Sequence, residues 1–186
     1  MLHKSFFISL ICAVALTLSS CGGGGKSKVE DFIWFKAEIP EGFVADTLPG
    51  NPRYTDVFFW NEENGMKREI KPGWFTLAGY RAKTMDDYLQ SLSKTYYTIG
   101  DEVTIGKYTW KTVSYSTYQG SDRYRCSYYV ETNRPGTVFQ LEGLQMKLDD
   151  PAWQVFLKNF SLPDDIEAAQ KQAYNTKFGE YEGAKK

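Results

Sequence analysis

Apolar and polar positions along the chain follow two different periods, and the places where the period changes mark the elements of a folded domain. The stretch Phe32-Ile33-Trp34-Phe35-Lys36-Ala37-Glu38-Ile39 predicts a first strand, ended by Pro40-Glu41-Gly42. Asp56 to Trp60 is a second apolar run, and the polar turn after it carries Asn64-Gly65, a strong hairpin dipeptide. Trp74 to Ala82 reads as a third strand. Thr84 then has the character of an N-cap, with Asp87 three residues on as an acidic form of the capping box. Met85, Tyr88, Leu89, Leu92 and Tyr96 follow at helical spacing, and Gly100 predicts the helix end.

Three longer strands come next: Tyr108 to Tyr118, Arg123 to Thr132 and Thr137 to Leu144, joined by short turn-rich segments. In the middle one, Tyr124, Cys126, Tyr128 and Val130 share one face while Arg123, Arg125 and Glu131 point away. That alternation suits an antiparallel sheet with one face covered more fully. Asp150 caps a second helix with Pro151 at its first position. Trp153, Phe156, Leu157 and Phe160 form its apolar stripe, and Pro163 stops it. From Asp164 to Lys186 the chain is polar, with scattered apolar residues, and predicts a loosely docked helix fraying into a disordered end.

The N-terminus is patterned differently. Lys4 precedes the mostly apolar run Phe6 to Leu18, which at 13 residues is shorter than the roughly 20 a spanning helix needs. Small residues follow, in Leu18-Ser19-Ser20-Cys21, an order that resembles a lipobox: an aliphatic residue, two small ones, then a thiol able to take a diacylglyceryl group. The expected organisation is a signal peptide over 1–20, a flexible tether over 21–31, one domain over 32–163 and the polar tail over 164–186. Gly22 to Gly25 and Lys26-Ser27-Lys28 supply the tether. Cys21 is the expected lipid attachment site, and the membrane the first expected partner. Gly22 in place of an Asp points to the outer membrane as the location.

Composition removes several classes of function. Of the 186 residues, those after position 20 hold 21 Lys+Arg against 23 Asp+Glu, near balance and without the basic excess that nucleic acid demands. The only histidine is His3, so the mature chain holds no imidazole, and triads that need one are excluded. Cys12 leaves with the leader and Cys21 is acylated, so Cys126 is alone and reads as a buried structural thiol. The run from Ser20 to Ser27 nearly spells a phosphate-binding loop, but its first Gly is Ser20 and no strand precedes it, so no nucleotide is expected. The adjacent acids Glu62-Glu63, Asp86-Asp87, Asp149-Asp150 and Asp164-Asp165 sit at helix starts or in a turn, where capping and solvation account for them. No catalytic residue, cofactor or metal is expected. The aromatic side chains Trp60, Trp74, Tyr115, Tyr118 and Tyr129 exceed what the inward faces require; exposed together, they would form a platform for a sugar ring or a partner protein.

The order of elements, with Ala37-Glu38-Ile39-Pro40-Glu41-Gly42-Phe43, Thr84-Met85-Asp86-Asp87-Tyr88-Leu89, Ile105-Gly106-Lys107-Tyr108-Thr109-Trp110 and Trp153 to Leu162, resembles the PsbP/Mog1-like superfamily over Phe32 to Pro163. The resemblance implies an α/β (α+β) fold, an α/β/α sandwich with a mainly antiparallel central sheet and helices packed on it. It also implies an accessory or binding role and carries no catalytic motif; the tether is similar to those of Bacteroidota lipoproteins. The expected function is therefore a lipid-anchored cell-envelope binding module whose partner is an envelope protein or a glycan. The alternatives are a surface glycan-binding lipoprotein using the aromatic platform, and a hydrolase working through carboxylates without histidine.

Overall fold

The computed structural model describes residues 29–47, 57–92, 94–115, 124–169 and 171–172; the leader, Cys21, most of the tether, Tyr118 and the end of the tail lie outside the described residues. The chain forms β1 (Val29–Asp31), β2 (Lys36–Glu38), β3 (Val44–Thr47), β4 (Val57–Glu63) and β5 (Met66–Thr76). These are followed by α1 (Met85–Ser91), β6 (Tyr97–Ile99), β7 (Val103–Ile105), β8 (Tyr108–Tyr115), β9 (Arg125–Glu131), β10 (Thr137–Leu144) and α2 (Pro151–Lys158). The main sheet runs β3-β4-β5-β10-β9-β8-β6, with β7 beside β6 on the outer edge of β8. Every pairing among the described strands is antiparallel.

Both faces of this sheet are buried, and each has its own cover. One face presents Phe59, Ile70, Phe139, Leu141, Tyr128 and Trp110 to α2, whose Trp153, Phe156 and Leu157 are buried, and to Phe160 beyond it. The opposite face presents Phe75, Val138, Tyr129 and Val113 to Leu77 and to Met85, Tyr88 and Leu89 of α1. The structure is thus the expected sandwich, with the α2 face covered more fully.

Local sequence explains most of the boundaries. Asn64 and Gly65 both take positive φ, 53° and 72°, as the tight β4–β5 turn requires. Thr84 accepts from the Asp87 amide (3.1 Å) while the Asp87 carboxylate accepts from the Thr84 amide (3.0 Å), closing the capping box on α1. Asp150 accepts from the Ala152 amide (3.0 Å) and Pro151 follows it, as expected for the start of α2.

Three expectations are corrected. The first strand is not continuous over 32–39. Ile33 lies at φ 71°, the Trp34 amide donates to the Phe32 carbonyl (2.8 Å), and this tight turn joins the short β1 and β2. A β-branched residue in that region is strained by about 1–2 kcal/mol. What offsets the strain is aromatic: Phe32 stacks on Phe35 and meets Phe59 edge-on, both at 5.1 Å, and Trp34 stacks on Trp74 at 5.9 Å. Because β1 starts at Val29, folded structure begins inside the expected tether.

The second correction concerns β5, which starts at Met66 rather than Trp74 and gives way at Leu77–Tyr80 to a short, tightly wound turn. Its β4 ladder stops at Ile70, two residues before Pro72, which has no N–H to donate. Third, α1 ends at Ser91, not near Gly100. Tyr97-Thr98-Ile99 pairs with Tyr115, Ser114 and Val113 instead, and Tyr96, the supposed last position of the helical stripe, is 54% exposed. The start of the polar tail is docked on the domain as a short helical turn. Asp165 accepts from the Glu167 and Ala168 amides, and Ile166 and Ala169 are buried.

Gly143 is a close-packed position in β10. A Cβ there would lie 2.6 Å from Trp153 Cζ2 and 3.1 Å from both Cys126 Sγ and Met146 Cβ. Gly143→Ala is expected to lower stability by about 1–3 kcal/mol through overpacking beneath α2, read as a fall in the denaturant midpoint at unchanged slope.

Candidate functional site

The aromatic residues singled out in the sequence do not assemble. Trp60 and Trp74 lie on opposite faces of the sheet, because Trp60 sits one residue beyond Phe59 in β4 whereas Trp74 opposes Phe139 in β10, and both Phe side chains belong to the α2 face. Trp74 is stacked on Trp34. The Trp60 ring is covered by the Lys67 ammonium at 5.0 Å. Over the Tyr115 ring sits the Arg125 guanidinium at 4.6 Å, with Tyr97 edge-on at 4.7 Å. Tyr129 is 1% exposed, inside the core beneath α1, and Tyr118 falls outside the described residues. A cation or ring of the chain itself thus takes one face of each of the Trp60, Trp74 and Tyr115 rings.

Reactive groups are turned inward. Cys126 is fully buried and burial pushes its thiol up to about 12, so it holds its proton and is not a nucleophile at neutral pH. Burial likewise raises Tyr88 to about 12 and lifts Tyr129 well above the ordinary tyrosine value. Gln140 donates to Ser127 Oγ (3.0 Å) and to the Tyr129 hydroxyl (3.3 Å), and the buried Glu142 carboxylate accepts from Arg125 Nε (2.6 Å). Asp86 pairs with Lys111 at 2.8 Å, beside the capping Asp87. Among the described residues no three His, Cys, Asp or Glu side chains converge as metal ligands.

The most chemically distinctive opening is a cleft of about 350 Å³ where the head of α2 meets the end of the β4–β5 hairpin. Arg68 organises it. Its guanidinium reaches Glu63 across the hairpin and Asp150 at 2.5 Å, and stacks over Phe43 at 5.3 Å. Arg68 and Asp150 are largely buried, whereas Glu63 stands at the rim. Gly42, at φ 79°, turns the loop so that the Phe43 amide donates to the Pro40 carbonyl (3.1 Å) and the Phe43 ring tucks beneath Arg68. Glu41 and Asn61 complete the polar lining, and Asn61 Oδ1, sealed from solvent, has no hydrogen-bond partner among the described residues. Pro40, Pro151, Ala152 and Val155 supply an apolar wall. The lining is rich in acceptors, and the Arg68 donors facing Glu63 and Asp150 are engaged.

Two other recesses differ in character. A groove of about 690 Å³ runs between the β1–β2 hairpin and residues 161–172, with Lys36 on its wall already paired to Asp31 at 3.0 Å. A recess of about 210 Å³ lies by Tyr124 and Lys147, with the Lys147 ammonium 4.5 Å over the Tyr124 ring.

The sequence offered only fragments of the cleft. Asp150 was legible as a cap and Gly42 as a turn residue, whereas Asn61, expected in the polar turn, lies in β4; Arg68 was not legible, because one of its two acidic partners, Asp150, is 82 residues away. The one available signal was the pairing of Glu63 and Arg68 across an Asn-Gly turn, which places opposite charges on adjoining strands.

The fold and site define a helix-covered antiparallel sheet carrying an acidic cleft. No protein-family model matches the chain, and no curated protein matches it. Among solved structures, it is similar to cyanobacterial PsbP (CyanoP) from Synechocystis sp. PCC 6803, at 15% identity and TM-score 0.42, over 78% of this chain and 99% of that one. It is also similar to LpqN, described as involved in cell envelope biogenesis of Mycobacterium tuberculosis, at 15% identity and TM-score 0.46, over 75% of this chain and 87% of that one. A third similar structure, from Bacteroides thetaiotaomicron VPI-5482, is matched at 15% identity and TM-score 0.44 over 75% of this chain, which spans 48% of that protein's length. PsbP is thus among the solved structures that this chain resembles.

The double role of Asp150 gives a graded test. Asp150→Asn keeps a capping oxygen but removes the charge that faces Arg68, whereas Asp150→Ala removes both. Both should destabilise, with Ala costing about 1 kcal/mol more than Asn in chemical denaturation. For Cys126, the folded value near 12 stands above the ordinary thiol value, so the neutral thiol persists in the folded state well past pH 9. Stability it contributes is complete below the ordinary thiol value and declines as pH rises from there toward 12. Iodoacetamide at pH 8 should leave Cys126 unmodified in the native protein and alkylate it in denaturant, as read by mass shift.

Proposed function

We propose that this chain is an exported lipoprotein, anchored in the bacterial envelope through Cys21, whose folded domain is an accessory binding module without catalytic machinery of its own. The anchor reading rests on the order Leu18-Ser19-Ser20-Cys21 behind a short apolar run. Two or three acyl chains, at about 0.8 kcal/mol per buried methylene, would make the attachment durable. Among the described residues no helix is long and apolar enough to cross a membrane. Gly22 after the modified cysteine favours the outer membrane.

The observation that carries the binding role is how the chemistry is distributed. The thiol is sealed in the core with its proton held, Tyr88 and Tyr129 are neutral, and Asp87, Asp150 and Asp165 serve as caps. What the surface keeps open is a recess lined by the carboxylates of Glu41 and Glu63, a feature that recognises groups and makes no bonds. A protein partner suits this better than a glycan platform, since Trp60, Trp74, Tyr115 and Tyr129 are split between faces, covered or buried.

Intact-mass analysis of the protein extracted from membranes of its own host tests the anchor. The expected species starts at Cys21 and carries acyl groups, and Cys21→Ser should release the protein from the membrane fraction. Retention of Met1, or an unmodified residue 21, would overturn the assignment.

A further inference from the structure

Strand β6 closes one end of the main sheet, and among the described strands none pairs with its outer edge. The Gly100 amide donates to the Thr112 carbonyl (2.9 Å) in register with the β6–β8 ladder, which fixes that ladder's alternation. Thr98 therefore exchanges its backbone bonds with Ser114, and the N–H and C=O groups of Tyr97 and Ile99 point outward. Natural edges are ordinarily blunted by a charge, a proline or a bulge. Tyr96-Tyr97-Thr98-Ile99-Gly100 has no charge and no proline, and aromatic and β-branched residues fill most of it. Tyr96 is the most exposed large apolar residue among the described ones, at 54%, and Ile99 is exposed too, at 45%.

This segment is complementary to itself. Set antiparallel about a two-fold axis through Thr98, Tyr97 falls opposite Ile99 of a second copy and exchanges both backbone bonds with it. Ile99 does the same with Tyr97 of the copy. Tyr97 and Ile99 oppose Tyr115 and Val113 and so share the α1 face, which sets an aromatic ring beside a β-branched side chain in each pair. Tyr96 comes opposite Gly100 of the copy, where the missing side chain leaves room for its ring. The flanking charges agree with this orientation. Lys94 precedes the strand and Asp101-Glu102 follow it, all three exposed, so an antiparallel copy brings each ammonium toward the other's carboxylates. A parallel copy would set lysine beside lysine and acid beside acid.

We infer that β6 is a self-association edge, through which two copies of this chain join antiparallel into one continuous sheet. A three-residue strand buries less than the roughly 1,200 Å² at which stable complexes begin, so the dimer is weak in dilute solution. Copies confined to one membrane would meet at far higher effective concentration. The edge itself does not depend on the lipid.

The test uses the whole mature chain from residue 21, carrying Cys21→Ser so that neither lipid nor detergent contributes. Sedimentation velocity should show a monomer–dimer equilibrium at concentrations up to about 1 mM, the weak end of the affinity scale. The two-fold axis makes Thr98 and Thr98 of the copy a non-hydrogen-bonded pair with Cα atoms about 4.5 Å apart, within disulfide reach. Thr98→Cys should thus form an intermolecular disulfide on mild oxidation, read by intact mass, while the buried Cys126 takes no part. Thr104→Cys, exposed on β7 and far from the axis, should remain uncrosslinked. Ile99→Lys should weaken dimerisation about tenfold or more by placing a charge on the edge. Lys94→Glu should weaken it a few-fold, with the loss shrinking as salt rises. A chain that stays monomeric over the whole range, an Ile99→Lys variant that dimerises as its parent does, or equal cross-linking at positions 98 and 104 would each overturn the inference. Should Ile99→Lys fail to fold, the two cysteine variants, which alter only exposed threonines, decide the matter. A monomeric chain that its host acylates at Cys21 would sink this edge and leave the anchored-module reading in place.

Discussion

A strand buried on both faces needs two covers, and β10 is such a strand. Phe139, Leu141 and Gly143 point to one side and are buried; Val138 points to the other and is buried as well. Hydrogen bonding alone would be satisfied by any antiparallel neighbour. The burial of both sets of side chains is what fixes a layer of helix above and below. The α2 face stays apolar to its end, so α2 and Phe160 seal it with Trp153, Phe156 and Leu157. The other face changes character along the strand. After Val138 come Gln140 and Glu142, and α1, with seven residues, lies over the Phe75–Val138–Tyr129 end. Beyond it the chain satisfies its own polar groups, Gln140 on Ser127 and Tyr129, and Glu142 on Arg125.

The cleft follows from the same constraint. Because α2 has to lie across the sheet with Trp153 against Gly143 and Tyr128, its first residues arrive beside the β4–β5 hairpin. Arg68 ties that junction together, joining the hairpin, the helix cap and the Phe43 loop through one guanidinium. A planar, permanently charged group with several donors can serve three contacts in different directions, which a lysine ammonium on a flexible stem would do poorly. The acidic excess around it, and the unpartnered Asn61 Oδ1, are what this junction leaves over once it has closed.

How much of this was readable in the sequence divides along a physical line. Features fixed by a few adjacent residues were legible: the Asn64-Gly65 hairpin, the Thr84/Asp87 capping box, the Asp150-Pro151 helix start, and β10, whose observed limits match the expected ones. Features decided by competition between local preference and distant partners were not. Leu92 and Tyr96 continue the helical spacing of α1, yet Tyr97-Thr98-Ile99 has aromatic and β-branched character and gains a ladder with β8, so the chain leaves the helix early. The run from Phe32 to Phe35 looks like a strand because it is uniformly apolar. In the structure it is a turn that sends Phe32, Trp34 and Phe35 against aromatic partners, and a left-handed isoleucine is not something that period two can announce. The separation of the aromatic residues has a related reason. Alternation in a strand tells which residues share a face, but not that Lys67 and Arg125 would lie over the rings.

The proposed anchor and the folded domain constrain each other through chain length. Eight residue steps separate Cys21 from Val29, the first residue of β1, and a chain so short reaches at most about 27 Å when fully extended. A domain held that close to a bilayer samples a small volume and meets envelope partners at high effective concentration, so modest intrinsic affinity suffices for stable engagement. That regime fits a small open cleft with an acidic lining better than it fits a deep pocket built for tight capture from dilute solution. In the proposed arrangement the lipid would supply residence at the membrane and the folded domain the recognition.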